Sequence, residues 1–164
     1  MAYTANFKDG SVFNAPVGKV VCVGRNYAEH AKELNNPVPS EPILFIKPES
    51  SVVSLDKSFS IPAKDCHYET EVSILIGARL SKATESEVSV AIAGVGLALD
   101  LTRRDLQSKL KEKAHPWEIA KSFDGACPLT CFVPVSAFGS LQSLRFTLTI
   151  NGELKQAGDS ADML

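Results

Sequence analysis

Apolar and polar residues alternate with a period of two in several short stretches of the chain, the spacing of half-buried β-strands. Residues 19–23 read as a strand stopped by Gly24, and residues 43–46 as a second. Residues 144–150 read as a third, which Asn151-Gly152 turns into a hairpin with a return strand over 153–156. Two longer runs, 67–77 and 93–100, read as further strands. In the first, Glu69 and Glu71 share one face, while Val72, Ile74 and Ile76 share the other, which is expected to be the buried one. In the second, Val95, Leu97 and Leu99 form one face. Gly94, Gly96, Ala98 and Asp100 form the other, where small residues leave room for a close approach. Helical signals are brief. Asn26 with Glu29 reads as a capping box for a helix over 27–34, ended by Asn35-Asn36-Pro37. A second helix is expected over 85–92. A third, over 103–113, is capped by Thr102 with Asp105 and stopped at His115-Pro116. The stretch 158–164 reads as the start of another capped helix. Strands interrupted by short helices predict an α+β fold with mixed or antiparallel sheets.

Composition narrows the partners. The 164 residues, 45% hydrophobic and 22% charged, suffice for one domain with a proper core. Net charge is −2 and the cations are scattered, apart from Lys109, Lys111 and Lys113, which argues against nucleic acid or an anionic membrane as the main partner. No apolar run approaches the roughly 18 residues of a membrane span, and the N-terminus lacks a signal peptide's pattern. Cys22, Cys66, Cys127 and Cys131 form no C-x-x-C pair, so free thiols in a reducing cytoplasmic setting are expected.

The chemistry concentrates in the acids. Two carboxylates held side by side repel unless a cation, proton or base lies between them. With Asp100 as a third, the oxygen donors suit Mg2+, or Mn2+. An E-x-E pair on a half-exposed strand is also an ordinary solvated face. The two readings part on whether the strand of Asp100 lies beside that of Glu69 and Glu71, which spacing alone leaves open.

Motifs in order along the chain carry a resemblance. They are residues 21–27 with His30 and Glu33, Leu44-Phe45-Ile46-Lys47-Pro48, His67-Tyr68-Glu69-Thr70-Glu71, residues 99–107, and Pro116-Trp117 with residues 120–124. Together they resemble the fumarylacetoacetate hydrolase family, in its small single-domain branch of acylpyruvate hydrolases and oxaloacetate decarboxylases. The resemblance implies layered, rolled mixed β-sheets, a homodimer, and Mg2+ or Mn2+ on Glu69, Glu71 and Asp100. It also implies one catalytic domain over 1–164 that is truncated at its C-terminus. Family members continue for about fifty residues further, with a Thr-Gly-Thr-Pro-like loop that helps hold substrate.

The same resemblance implies roles for the remaining motif residues. His30 and Glu33, at i and i+3 on one helix face, would form a dyad in which Glu33 orients His30 as general base; a surface helix contact is the plain alternative. Their short helix is expected to be a lid. Lys121 and Gln107 would stabilise negative charge on the substrate, and Arg25 and Lys47 would bind its remote carboxylate. Arg104 and Asp105 would give supporting contacts, while Tyr27, Trp117 and Phe123 pack. The leading expectation is a Mg2+-dependent hydrolase cleaving acylpyruvates to pyruvate and an acid. Oxaloacetate decarboxylase, oxaloacetate keto–enol tautomerase, and an inert protein binding metal or a 2-oxo acid are the alternatives.

Overall fold

The computed structural model describes residues 3–27, 39–61 and 65–164. Its strands are β1 (Lys19–Gly24), β2 (Ile43–Pro48), β3 (Val52–Ser54), β4 (Cys66–His67), β5 (Thr70–Ile76), β6 (Ile92–Leu99), β7 (Thr102–Arg103), β8 (Cys127–Leu129), β9 (Val133–Pro134), β10 (Arg145–Ile150) and β11 (Glu153–Asp159). The helices are α1 (Glu85–Ala91), α2 (Arg104–Glu112) and α3 (Glu118–Lys121). The class is α+β, as the alternation required. A central mixed sheet runs β3-β8-β6-β5, with β9 also on β6 and only β3–β8 parallel. Two-stranded ribbons β1–β2, β4–β7 and β10–β11 surround it.

The β10–β11 hairpin forms as its sequence demands. Asn151 and Gly152 both take positive φ, 53° and 84°, the backbone that a tight twisted turn needs. Helix α1 starts at a capping box: Thr84 accepts from the Glu87 amide while the Glu87 carboxylate accepts from the Thr84 amide at 2.7 Å. Helix α2 departs from expectation at its start. Arg103, not Thr102, precedes it without a side-chain cap, because fully buried Thr102 pairs with His67 and donates its hydroxyl to the Asp100 carbonyl at 3.2 Å. The segment 158–164 makes only a 3-10 turn, Ser160–Asp162, capped by the Asp159 carboxylate.

The pairing of β5 with β6 settles which face is inside. Glu71 lies opposite Ala98, Ser73 opposite Gly96 and Leu75 opposite Gly94, so the acids share a face with the small residues. That face packs inward. Leu75 and Ala98 join Ala5, Val52, Cys127, Leu129 and Phe132 in the core, with Phe7 and Phe13 against it. The face expected to be buried is the more open one: Ile74 and Ile76 are 41% and 42% exposed. Gly94 explains the reversal. A Cβ there would stand 2.9 Å from the Val133 carbonyl oxygen and 3.0 Å from Phe7, so the missing side chain is what admits the core aromatics. All four cysteines are free. Among the described residues, no helix is long and apolar enough to cross a membrane.

Candidate active site

Antiparallel register brings the acids together. Thr70 faces Leu99 and Glu71 faces Ala98, and the Asp100 amide donates to the Glu69 carbonyl at 2.7 Å. Glu69 and Asp100 therefore stand opposite one another at the end of the β5–β6 pair, with Glu71 two residues along on the same face. Cations crowd this end. Lys121 pairs with Glu69 Oε2 at 3.2 Å and with Asp100 Oδ2, and Arg104 pairs with Glu69 Oε1. Arg104 also donates to Gln107 Oε1 at 2.7 Å and to His67 Nδ1 at 3.3 Å.

Lys47 occupies a different position from the one its motif suggested. It is fully buried, and its ammonium donates to the carbonyls of Leu101 at 3.2 Å, Ala126 at 3.1 Å and Lys121. Asp100 Oδ1 lies 2.9 Å from it. With three N–H groups spent on carbonyls, that contact is charge pairing without a directed hydrogen bond, and Asp100 Oδ1 is left without a hydrogen-bond partner. Lys47 thus has no hydrogen left for a substrate carboxylate; it supports Asp100 and the chain at Lys121. Strand β2 steadies α3 further. The Ser122 hydroxyl donates to the Ile46 carbonyl at 2.7 Å, Lys121 lies 5.0 Å over the Phe45 ring, and Phe45 packs on Trp117.

Charge and burial split the two glutamates. Burial pushes Glu69 up, but Lys121 and then Arg104 outweigh it and hold the carboxyl below its usual range. Glu71 has no such partner among the described residues. Burial first, then Asp100 and Glu69, push its carboxyl up to about 7. The Lys111 ammonium is pulled down, by burial first and then by Arg104, Arg25 and Lys121. Arg104 and Lys121 thus stand directly on the acids, and Lys111 feels the positive charge of both and of Arg25. Lys111, steadied 5.3 Å over Trp117, was visible in the sequence only as part of a lysine run.

Among the described residues, no three His, Cys, Asp or Glu side chains stand gathered around a common point as a ready metal cage. The ammonium of Lys121 lies between Glu69 and Asp100 instead. The donor set nonetheless fits a hard divalent ion: three carboxylates on one face, one largely unneutralised, and a buried Asp100 oxygen lacking a hydrogen bond. Gln107 is buried with its Oε1 committed to Arg104, which leaves its amide N–H2 as the donor end. His30 and Glu33, with the expected lid and its capping box through Glu29, lie outside the described residues. Two surface hollows, one lined by Arg103, Glu118, Ile119, Ser122 and Phe123, the other by residues around Leu44 and Trp117, include none of Glu69, Glu71 and Asp100.

One contact had no sign in the sequence, which placed its residue only on the return strand. Gln156 of β11 reaches the outer edge of β5, where its Oε1 accepts from the Thr70 amide at 2.7 Å and its Nε2 donates to the Thr70 carbonyl at 2.8 Å.

A layered α+β fold with three carboxylates at one sheet end, and Lys121 between two of them, defines a class of carboxylate-centred sites suited to a divalent ion. The chain belongs to the fumarylacetoacetate hydrolase family: residues 19–164 match the model of the fumarylacetoacetate (FAA) hydrolase C-terminal domain. It is 50% identical over 158 residues to the oxaloacetate tautomerase YcgM of Escherichia coli (strain K12), covering 94% of this chain and 72% of that protein. It is 39% identical to the mitochondrial oxaloacetate tautomerase of Bos taurus, with 88% of this chain covering 66% of that protein. A crystal structure of a fumarylacetoacetate hydrolase family protein from Yersinia pestis CO92 superimposes with a TM-score of 0.95 at 48% identity, over 98% of this chain and 75% of the other. The fumarylpyruvate hydrolase from Pseudomonas aeruginosa, in complex with Mn2+ and pyruvate, superimposes with a TM-score of 0.87 at 32% identity, over 99% of this chain and 72% of the other.

Proposed function

We propose that the chain interconverts the keto and enol forms of oxaloacetate, with Glu69, Glu71 and Asp100 holding Mg2+ or Mn2+. The observation carrying this reading is the pair of cations, Arg104 and Lys121, held against the acid trio, with Lys111 and Arg25 adding positive charge around them, which suits a doubly charged dicarboxylate. Likeness to the two tautomerases supports it. The leading expectation from sequence, acylpyruvate cleavage, takes second place; likeness to the fumarylpyruvate hydrolase favours it as the second reading.

When bound, the divalent ion supplies Lewis acidity that eases loss of a proton from C3. The chain's own groups divide the remaining work. Lys121, beside Glu69 and Asp100, offsets negative charge growing on the keto oxygen, and the Gln107 amide donates to a neighbouring oxygen. Arg25 and Lys111 meet the far carboxylate. His30, oriented by Glu33, takes the C3 proton; the C–H electrons form the C2–C3 double bond and the carbonyl electrons move to oxygen. Protonation of that oxygen completes the enol, and the sum is an isomerisation with no bond to water.

Ultraviolet absorbance of the enol tests this. Oxaloacetate enol should ketonise faster with the protein and Mg2+ than with Mg2+ alone, lose that acceleration in EDTA, and lose about 10²–10⁴-fold in rate on His30→Ala. An acceleration indifferent to chelation would contradict the proposal. Faster cleavage of acetylpyruvate or fumarylpyruvate than tautomerisation would move the second reading ahead.

A further inference from the structure

The amide of Gln156 treats Thr70 as a neighbouring strand would, accepting from its N–H and donating to its C=O. Thr70 is buried and sits between Glu69 and Glu71, near the end of an edge strand. Past Thr70, the inner edge of β5 is held to β6 by the Asp100 amide on the Glu69 carbonyl, while the Gln156 amide engages the outward-facing N–H and C=O of Thr70. Glu71 shares this end with Glu69 and Asp100 and has no ion-pair partner among the described residues, so slack in the backbone at Thr70 relieves its repulsion. Fixing both polar groups of the Thr70 peptide fixes the directions in which the flanking side chains leave the backbone.

We propose that Gln156 is a positioning residue for the acid trio: its bidentate clamp on Thr70 aims Glu69 and Glu71 at one divalent ion. The inference deepens the proposed reading and rests on its metal assignment, not on the substrate. Partners that orient metal ligands without touching the ion are typically worth 10–100-fold in metal affinity. The clamp reaches the site from the β10–β11 hairpin, 85 residues downstream of Glu71 by sequence number, so the hairpin's register sets the acids' geometry.

The test is direct Mn2+ binding, by electron paramagnetic resonance of free Mn2+, on wild type and on Gln156→Leu, which keeps side-chain bulk without the amide. The expected result is one site in wild type and at least a tenfold higher Kd in the variant, with the metal-free circular dichroism spectrum retained. Equal Kd values in two folded proteins would overturn the clamp while leaving the metal reading standing. A wild type that binds no Mn2+ would overturn both. Should Gln156→Leu not fold, wild-type amide exchange decides. If the clamp favours metal binding, metal must favour the clamp, so saturating Mg2+ should slow Thr70 N–H exchange severalfold. Unchanged exchange would overturn the proposal.

Discussion

The inner face of the β5–β6 pair is filled in two ways along its length. At the glycine end, Gly94 and Gly96 admit Phe7 and Phe132, and the space is closed by apolar contact. At the acid end, the same face is closed by Lys121, Arg104 and buried Lys47 against Glu69 and Asp100, with Glu71 beside them. The first solution is cheap to maintain, because apolar packing gains from leaving water. The second costs desolvation of every charge and holds only while partners match. The costly arrangement kept at one end of a core face is the ground on which the active site is proposed there.

The largest effect expected from breaking that contrast lies at Asp100, shared by two buried lysines. Asp100→Ala leaves Lys47 without an acid and Lys121 with Glu69 alone, and should lower unfolding free energy in EDTA by about 3–5 kcal/mol in urea titrations. A loss below about 1 kcal/mol would mean the lysines simply rehydrate.

Next comes Glu71, whose carboxyl is pushed up to about 7 from an ordinary 4.5. The metal-free folded state binds this proton more tightly than the unfolded chain does. Its contribution is therefore fully present below about 4.5 and is lost as pH rises toward about 7. Against Glu71→Gln, which cannot titrate, wild type should lose up to about 3 kcal/mol across that window, each tenfold in proton affinity being worth about 1.4 kcal/mol. A difference that grows in the opposite direction would remove the repulsion argument.

The smallest effect belongs to the glycine end. Gly94→Ala places a methyl 2.9 Å from a backbone oxygen and should cost about 1–3 kcal/mol by overpacking, with Mn2+ affinity within about threefold of wild type. A large loss of metal affinity would show that the two ends are not independent.

Sequence reached far into this molecule where the signal was local. The Asn151-Gly152 turn, the β1 and β2 runs and the face shared by Glu69 and Glu71 were legible from spacing alone. Asp100 was legible as a candidate, but its place opposite Glu69 depends on β6 pairing with β5, a contact across thirty residues that no local pattern encodes. Ile74 and Ile76 misled, because bulk and hydrophobicity named them as core while glycines on the opposite face of β6 drew in the aromatics. Thr102 misled as a cap, since the β4–β7 pairing claimed it first. Lys47 carried the motif but not its own environment: three carbonyls from distant segments decide what that ammonium can do. Gln156 was legible only as the last residue of the expected return strand; nothing local marks an amide between Lys155 and Ala157 as a clamp on Thr70.

A calorimetric titration of the metal-free protein with Mn2+ tests most directly whether three carboxylates act on one ion. Wild type should take up one Mn2+ per chain, and Glu69→Gln, Glu71→Gln and Asp100→Asn should each abolish the same binding event. Full-strength binding in any one of the three would contradict it.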